Sequence, residues 1–261
     1  MGVFTDLIEL YEDDGFTVQS GLNADHFPGN HTADIAFTYF FKDGEQSCEG
    51  GGIALTEIAF LETLAQSYHP ENIFVIGNAF GWSTLALALA NPKAHTVAID
   101  LCPRPGEWEG IEVTNRLAAR HNLDVTAIKA RSPEQVSEVA RGNFQGPVDF
   151  LFIDGGHNNE QIVLDFKACQ EIAAPDAVYL FHDVVNFMMW DGFVAIAKDN
   201  PHLNAQILFR TPSGMGICYP PERGLEVGRA VNLFTETDER LAAVRADGKR
   251  KMEEAAAKQE G

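Results

Sequence analysis

Two carboxylates and two imidazoles stand where apolar runs stop. Asp154 and His157 follow the run Val148–Ile153, in the segment Asp154-Gly155-Gly156-His157. His182 and Asp183 follow the run Ala177–Phe181. Runs of that length and composition read as buried strands. If both strands lie in one sheet, their ends fall on neighbouring edges and the four side chains converge. Carboxylates held that close repel, so a cation sits among them or one pKa rises. Two chemistries follow. Asp154, His182 and Asp183 could hold a divalent metal that acidifies a hydroxyl. Magnesium prefers oxygen donors, whereas an imidazole suits manganese, iron or zinc better. Alternatively His157 or His182, each with a free pKa near neutrality, serves as a general base. Plainer uses are a backbone-bonded turn histidine at 157, a packed strand-end histidine at 182 and a helix N-cap at 183.

The elements that would position these groups recur in a regular rhythm. Apolar spacing gives a helix over 53–68, then strand 73–76, helix 81–90, strand 95–100, helix 110–121, strand 125–129 and helix 133–141. Strand 148–153, helix 158–172, strand 177–181 and helix 189–199 follow. Ser132-Pro133 reads as a cap and first-turn proline for helix 133–141. Alternation of this kind predicts an α/β fold, a doubly wound and mostly parallel seven-stranded sheet of Rossmann type. Residues 205–209 and 216–219 flank Arg210-Thr211-Pro212-Ser213-Gly214, a hairpin signal, so the last strand is expected to be antiparallel.

Strand 73–76 runs into Gly77-Asn78-Ala79-Phe80-Gly81-Trp82-Ser83-Thr84, and the following strand ends in Asp100. A strand, glycine turn, helix and second strand ending in a carboxylate form a unit that holds a nucleoside. Backbone approaches the ligand at the glycines, and the carboxylate meets the ribose. A dinucleotide fingerprint needs G-x-G-x-x-G. Here Ala79 replaces the middle glycine and no third one opens the helix, which disfavours a diphosphate. A ligand with a small carboxylate fits better, held by free N–H groups near Gly81–Thr84 with the Ser83 hydroxyl as a further donor.

The Ile76–Thr84 turn, Asp100, Phe152-Ile153-Asp154-Gly155-Gly156-His157 and Phe181-His182-Asp183-Val184, in this order, resemble the class I S-adenosylmethionine-dependent methyltransferases. The resemblance covers residues 50–220 and is nearest to the small-molecule O-methyltransferase branch. It implies methyl transfer from S-adenosylmethionine to a hydroxyl. It also implies that Gly77, Asn78, Ala79 and Gly81 shape the cofactor turn and that Ser83 binds the methionine carboxylate. Asp100 would accept from both ribose hydroxyls, with Leu101 beside it. Ala130, Arg131 and Ser132 would border the adenine, and Asp154 would lie beside the sulfonium. Many members carry an acidic residue two before the first glycine, where this chain has Val75. Metal-dependent members offer Asp-Asn or Glu-Asp where this chain has His182-Asp183. An NAD-dependent oxidoreductase and a non-catalytic S-adenosylmethionine-binding protein are the alternative readings.

The chain's 261 residues suit one large domain with appendages. We expect an N-terminal cap or lid over 1–52, in which Phe37, Tyr39 and Phe40 fold over the opening. The cofactor-binding domain is expected over 53–222 and a helical, charged tail over 223–261. Met and aromatic residues of 186–193 would either wall an acceptor pocket or pack a helix face. A net charge of −19 argues against a nucleic-acid partner. No apolar stretch is long enough to span a membrane. Cys48, Cys102, Cys169 and Cys218 have no paired spacing, so a reducing cytoplasm is the simplest setting. A small hydroxylated acceptor is the expected partner, and a homodimer is left open.

Overall fold

The computed structural model describes residues 2–20, 37–48, 51–103 and 108–235, with positions 243, 246, 247 and 250 beyond them. The turn signal at 26–30 and, within the expected tail over 223–261, most of residues 236–261 lie outside the described residues. Seven strands form the central sheet: β4 (Asn72–Ile76), β5 (His95–Asp100), β6 (Val125–Lys129), β7 (Val148–Ile153), β8 (Ala173–Phe181), β9 (Asn204–Leu208) and β10 (Met215–Tyr219). Their order is β6-β5-β4-β7-β8-β10-β9. β4 pairs parallel with β5 and β7, and the parallel set extends to β6 and β8. β10 runs antiparallel to both β8 and β9. The expected doubly wound sheet with an antiparallel last strand is therefore present. The chain steps outward from β4 to β6 and returns at β7, so the strand order reverses between β4 and β7. Ligands bind at such a switch point.

Both sheet faces are covered, which is why the strands read as continuous apolar runs rather than alternating ones. Val75, Ala98, Phe150, Phe152 and Leu180 face a core shared with α2 (Leu55–Leu64), α3 (Trp82–Ala90), α4 (Trp108–Arg120) and α8 (Gly224–Thr235). Phe74, Ile99, Leu151, Ile153 and Phe181 face the opposite core with α5 (Val136–Asn143), α6 (Asn159–Gln170) and α7 (Trp190–Asp199). The period of two along each strand sorts neighbours to opposite faces.

The N-terminal stretch differs from its expected form. It contains a helix, α1 (Val3–Glu12), and a three-stranded antiparallel sheet of β1 (Thr17–Gln19), β2 (Tyr39–Lys42) and β3 (Glu45–Gln46). Leu7, Leu10, Tyr11, Phe16 and Phe40 are buried in the same core as Phe80 and Trp82. The Tyr11 hydroxyl donates to the Phe80 carbonyl at 2.7 Å. Phe40 stacks on Phe80 with centroids 5.3 Å apart instead of covering an opening. Helix α5 begins three residues later than Ser132-Pro133 signals, because the Ser132 hydroxyl bonds Asp165 rather than capping a helix. The Ser132–Pro133 peptide is cis.

Candidate functional site

A cavity of about 300 Å³ opens at the carboxyl ends of β4–β7. Gly77, Asp100, Leu101, Arg131, Ser132 and Asp154 line it, together with Ala130, Gly155, Gly156, Gln161 and Asp165. Its floor is fixed by the close approach of β4 and β7. Gly77 has φ +92°, and a Cβ there would lie 1.9 Å from the Asp154 carbonyl oxygen. Only glycine gives both that backbone and that clearance.

Asp100 is already at work in this turn. Its Oδ2 accepts from the Asn78 and Ala79 N–H groups at 2.9 and 2.7 Å, and its Oδ1 accepts from Cys102 N–H at 2.8 Å. A carboxylate offers about four lone-pair directions, so one remains, on Oδ1. The Asn78 side chain is buried, donating to Thr114 Oγ1 at 3.0 Å and accepting from Thr84 Oγ1 at 2.9 Å. It braces the turn from behind. Ala79 takes φ +42° and is exposed. Gly81 and Ser83 are buried at the start of α3, outside the cavity lining, with Ser83 only 5% exposed.

At the Asp154 wall the four chemistry-bearing residues come together. His182 Nδ1 lies 3.2 Å from Asp154 Oδ1 and 3.3 Å from Asp183 Oδ2. His157 Nε2 is 3.4 Å from those same two oxygens. Asp183 takes φ +58°, a left-handed conformation that Asp tolerates. It is not a helix N-cap, since α7 starts at Trp190. A fifth member was not anticipated. Glu57, fully buried on α2, places Oε2 3.1 Å from His182 Nε2 and accepts from Ala54 N–H at 2.7 Å. Its Oε1 accepts from the backbone N–H of Ser213 at 3.2 Å and from the Ser213 hydroxyl. His182 is 2% exposed and has a carboxylate on each ring nitrogen. His157 is the accessible imidazole, 35% exposed and stacked on Phe187 with centroids 4.3 Å apart.

The charges explain the protonation pattern. Burial alone would raise the Asp154 carboxyl, but His182 and His157 outweigh it and hold it below its ordinary value. The bond to Asp154 raises His157 against the effect of burial. Burial opposes the charged form of His182, yet Asp154 and Glu57 keep its pKa well above that of a free imidazole. Asp154, His182 and Asp183 each offer a donor atom, all within 4.8 Å of one another.

The segment after β8 is divided. Phe187 and Met188 are exposed beside His157, whereas Met189 and Phe193 are packed in the core. Phe37 reaches Phe187 at 6.4 Å between centroids. Sequence reasoning missed Glu57, Ser213, Gln161 and Asp165. Glu57 stands three residues after the N-cap Ala54 and accepts from its N–H, but alanine at the N-cap leaves the sequence without the Ser/Thr half of a capping box that would have marked the position.

Residues 74–184 match the family described as a methyltransferase domain. The match covers the part of the chain from β4 to the end of β8, and the strand order above is that of a Rossmann-like sheet. No curated protein matches the sequence. Solved structures share the fold at low identity. An O-methyltransferase from Bacillus cereus in complex with SAH is 19% identical, with 64% of this chain and 82% of that one covered and a TM-score of 0.53. The O-methyltransferase TomG from Streptomyces achromogenes, involved in tomaymycin synthesis and solved with SAM, is 18% identical over 65% of this chain and 81% of that one, TM-score 0.53. SAH-bound methyltransferase PaMTH1 from Podospora anserina is 16% identical over 63% and 77%, TM-score 0.50. Among the described residues no helix is long and apolar enough to cross a membrane.

Proposed function

We propose that this chain transfers a methyl group from S-adenosylmethionine to a hydroxyl of a small molecule. The observation that carries the reading is the shared wall. Asp154 lines the switch-point cavity and also belongs to the carboxylate–imidazole cluster. A nucleoside held in the one is thereby adjacent to proton-handling groups in the other. The cavity fits the cofactor: its volume lies at the lower end for a small-molecule site. The free lone pair on Asp100 Oδ1 can take one ribose hydroxyl.

Bound there, S-adenosylmethionine supplies an electrophilic methyl on a sulfonium. Positioning then contributes much of the catalysis. With Nε2 directed at Asp154 and Asp183, His157 removes the acceptor's proton at Nδ1, and the two carboxylates stabilise the imidazolium that results. His182 holds those two carboxylates in place and is itself held by Glu57. Phe187 and Met188 form the exposed apolar wall against which a small acceptor rests. The surplus of negative charge suits such an acceptor better than a phosphate backbone, and four unbridged cysteines suit a reducing cytoplasm.

A divalent cation fits the same cluster through Asp154, His182 and Asp183. Glu57 on Nε2 leaves Nδ1 as the coordinating atom, the usual arrangement behind a metal-bound imidazole. A mixed nitrogen and oxygen set favours manganese, iron(II) or zinc over magnesium. Held there, the ion would lower the pKa of the acceptor hydroxyl.

Calorimetric titration with S-adenosylhomocysteine, followed by labelled-methyl transfer to a panel of sugars, phenols and polycyclic alcohols, tests the reading. Binding in the micromolar range and transfer abolished by Asp154→Ala are expected; absence of binding refutes it. For the metal, manganese chloride should raise the melting temperature of the wild type and leave Asp183→Asn unmoved. Equal shifts in both proteins would remove the ion from this site.

A further inference from the structure

Three buried polar side chains stand behind the cofactor turn and take no part in the proposed chemistry. Asn78, Thr84 and Thr114 are all but inaccessible, and none of them lines the cavity. Thr114 lies one helical turn beyond Gly110 on α4, and both residues press on the turn. A Cβ at Gly110 would lie 2.0 Å from the Ala79 carbonyl oxygen, and a Cβ at Gly81 would lie 2.1 Å from Thr114 Oγ1. Thr114 Oγ1 donates to the Gly110 carbonyl at 2.7 Å and accepts from Asn78 Nδ2 at 3.0 Å. Asn78 Nδ2 also donates to the Ala79 carbonyl at 3.2 Å, and the Thr84 hydroxyl donates to Asn78 Oδ1 at 2.9 Å. The amide therefore has a partner on each side that fixes which way it faces. Ala79 needs that support. Its φ of +42° is a left-handed backbone that a residue with a Cβ keeps only where its surroundings impose it.

We propose that Thr114 is a positioning residue for the cofactor site. Through Asn78 it holds the turn in the form that fills Asp100 Oδ2 and leaves Oδ1 open to a ribose hydroxyl. The inference rests on the reading of the cavity as an adenosyl site. The contacts run without a break from α4 to the carboxylate. Thr114 holds the Asn78 amide, and the amide holds the Ala79 carbonyl. The Asn78 and Ala79 N–H groups then hold Asp100 Oδ2. When these two peptides turn away, Oδ2 loses both donors and the carboxylate is free to rotate. A ribose hydroxyl then meets an acceptor whose direction is no longer set, and binding includes the cost of ordering it. Thr114 itself stays outside the cavity, so its hydroxyl acts on affinity only by way of the turn.

The test is calorimetry on the full chain with two probes, S-adenosylhomocysteine and its 2′,3′-dideoxy analogue, which lacks both ribose hydroxyls. Thr114→Ala removes the oxygen without crowding Gly81, and Thr114→Ser keeps it. Alanine should weaken S-adenosylhomocysteine about fivefold or more, the worth of one hydrogen bond, and serine should stay within about twofold of wild type. The dideoxy analogue should bind wild type and Thr114→Ala within about twofold of each other, because it offers the carboxylate nothing to align. An alanine variant that loses affinity for both probes alike is damaged in structure only, and overturns the assignment. One that keeps wild-type affinity for S-adenosylhomocysteine overturns it as well. Hydrogen exchange on ligand-free wild type needs no variant to fold. The Asn78 and Ala79 amides should exchange at least about a hundredfold more slowly than in an open chain, and open-chain rates contradict a turn held in advance. Wild type that binds no S-adenosylhomocysteine removes the adenosyl reading and this inference with it, whereas wild-type binding with an unmoved alanine variant removes this inference alone.

Discussion

Removing the Glu57 carboxylate should reveal how much of this site is held from behind. Glu57 is fully buried and has four donor partners: Ala54 N–H and His182 Nε2 on one oxygen, Ser213 N–H and the Ser213 hydroxyl on the other. Leucine fills most of the same volume, so the cavity contribution is small and the loss is chiefly of acceptors. An orphaned buried donor costs about 1–3 kcal/mol, and breaking a buried ionic contact by removing one partner costs about 3–5 kcal/mol. Glu57→Leu should therefore lose roughly 3–5 kcal/mol, since the individual costs do not add in full. Glutamine separates charge from hydrogen bonding. If its N–H₂ replaces Oε2 it faces Ala54 N–H, and if it replaces Oε1 it faces Ser213 N–H. The Ser213 hydroxyl can turn to accept and His182 can change tautomer, but one backbone N–H stays unmatched either way. Glu57→Gln should lose about 1–3 kcal/mol. Urea denaturation read by circular dichroism gives both values, provided the m-value is unchanged. The reasoning fails if the leucine variant lies within about 1 kcal/mol of wild type, or if glutamine costs as much as leucine.

His157→Ala should lower methyl transfer by a factor on the order of 10² or more. It should leave affinity for S-adenosylhomocysteine within a few-fold, because His157 does not line the cavity; comparable losses in turnover and binding would place it in the cofactor site instead. Tyr11→Phe leaves the buried Phe80 carbonyl without its donor and should cost about 1–2 kcal/mol by urea denaturation. Asp14 bonds Arg116 at 2.6 Å and Arg120 at 2.9 Å, and the Arg116 hydrogen bond is the first cause that lowers its carboxyl pKa. A lowered folded pKa adds stability that is present above the unfolded value of 3.8 and is lost as pH falls through the folded one. The arginines are 44% and 43% exposed, so the gap between wild type and Asp14→Asn should be about 1 kcal/mol or less at pH 7. It should close below pH 3.8, and a gap that widens on acidification contradicts the assignment.

The sheet was legible because its strands are buried on both faces. Val75, Val97 and Leu151 stand in unbroken apolar runs with glycine, proline or carboxylate punctuation, and such runs identify strands without any alternation. The site residues at those strand ends were legible for the same reason, since a carboxylate that stops an apolar run is forced to the sheet edge. Helix α1 was also written in the sequence. Val3, Leu7, Leu10 and Tyr11 repeat at helical spacing, but the segment is short and invites a reading as a terminus. The sheet β1–β3 was less visible, because β2 and β3 are four and two residues long and Phe40 of β2 packs on Phe80 and Trp82 far along the chain. Glu57 looks like a solvent-facing position inside an apolar helix. Its burial comes from Ser213, 156 residues away, and from His182, 125 residues away. Asp165 is equally indistinct, a polar residue in a helix whose hydroxyl partner lies 33 residues earlier. Long-range polar pairing leaves no periodic trace.

Three carboxylates and two imidazoles within 3.4 Å contacts are a poor way to build a stable core. Well-packed apolar residues of similar volume are often neutral or better in such places, because desolvation offsets much of the Coulombic gain. The chain has apolar side chains to spare around the cluster, with Phe152 and Met215 fully buried nearby in sequence and fold. It nevertheless keeps Glu57, Asp154 and Asp183 against His157 and His182, and at Asp183 it does so in a left-handed backbone conformation. Departures from ordinary core chemistry that gather in one place mark function rather than stability. They gather here at the point where the strand order reverses, on the wall of the cavity that ends at Asp165. Glu57 is what makes the arrangement directional. By engaging Nε2 it commits Nδ1 of His182 to Asp154 and Asp183, and so turns a buried histidine into the support on which the two reacting-side carboxylates rest.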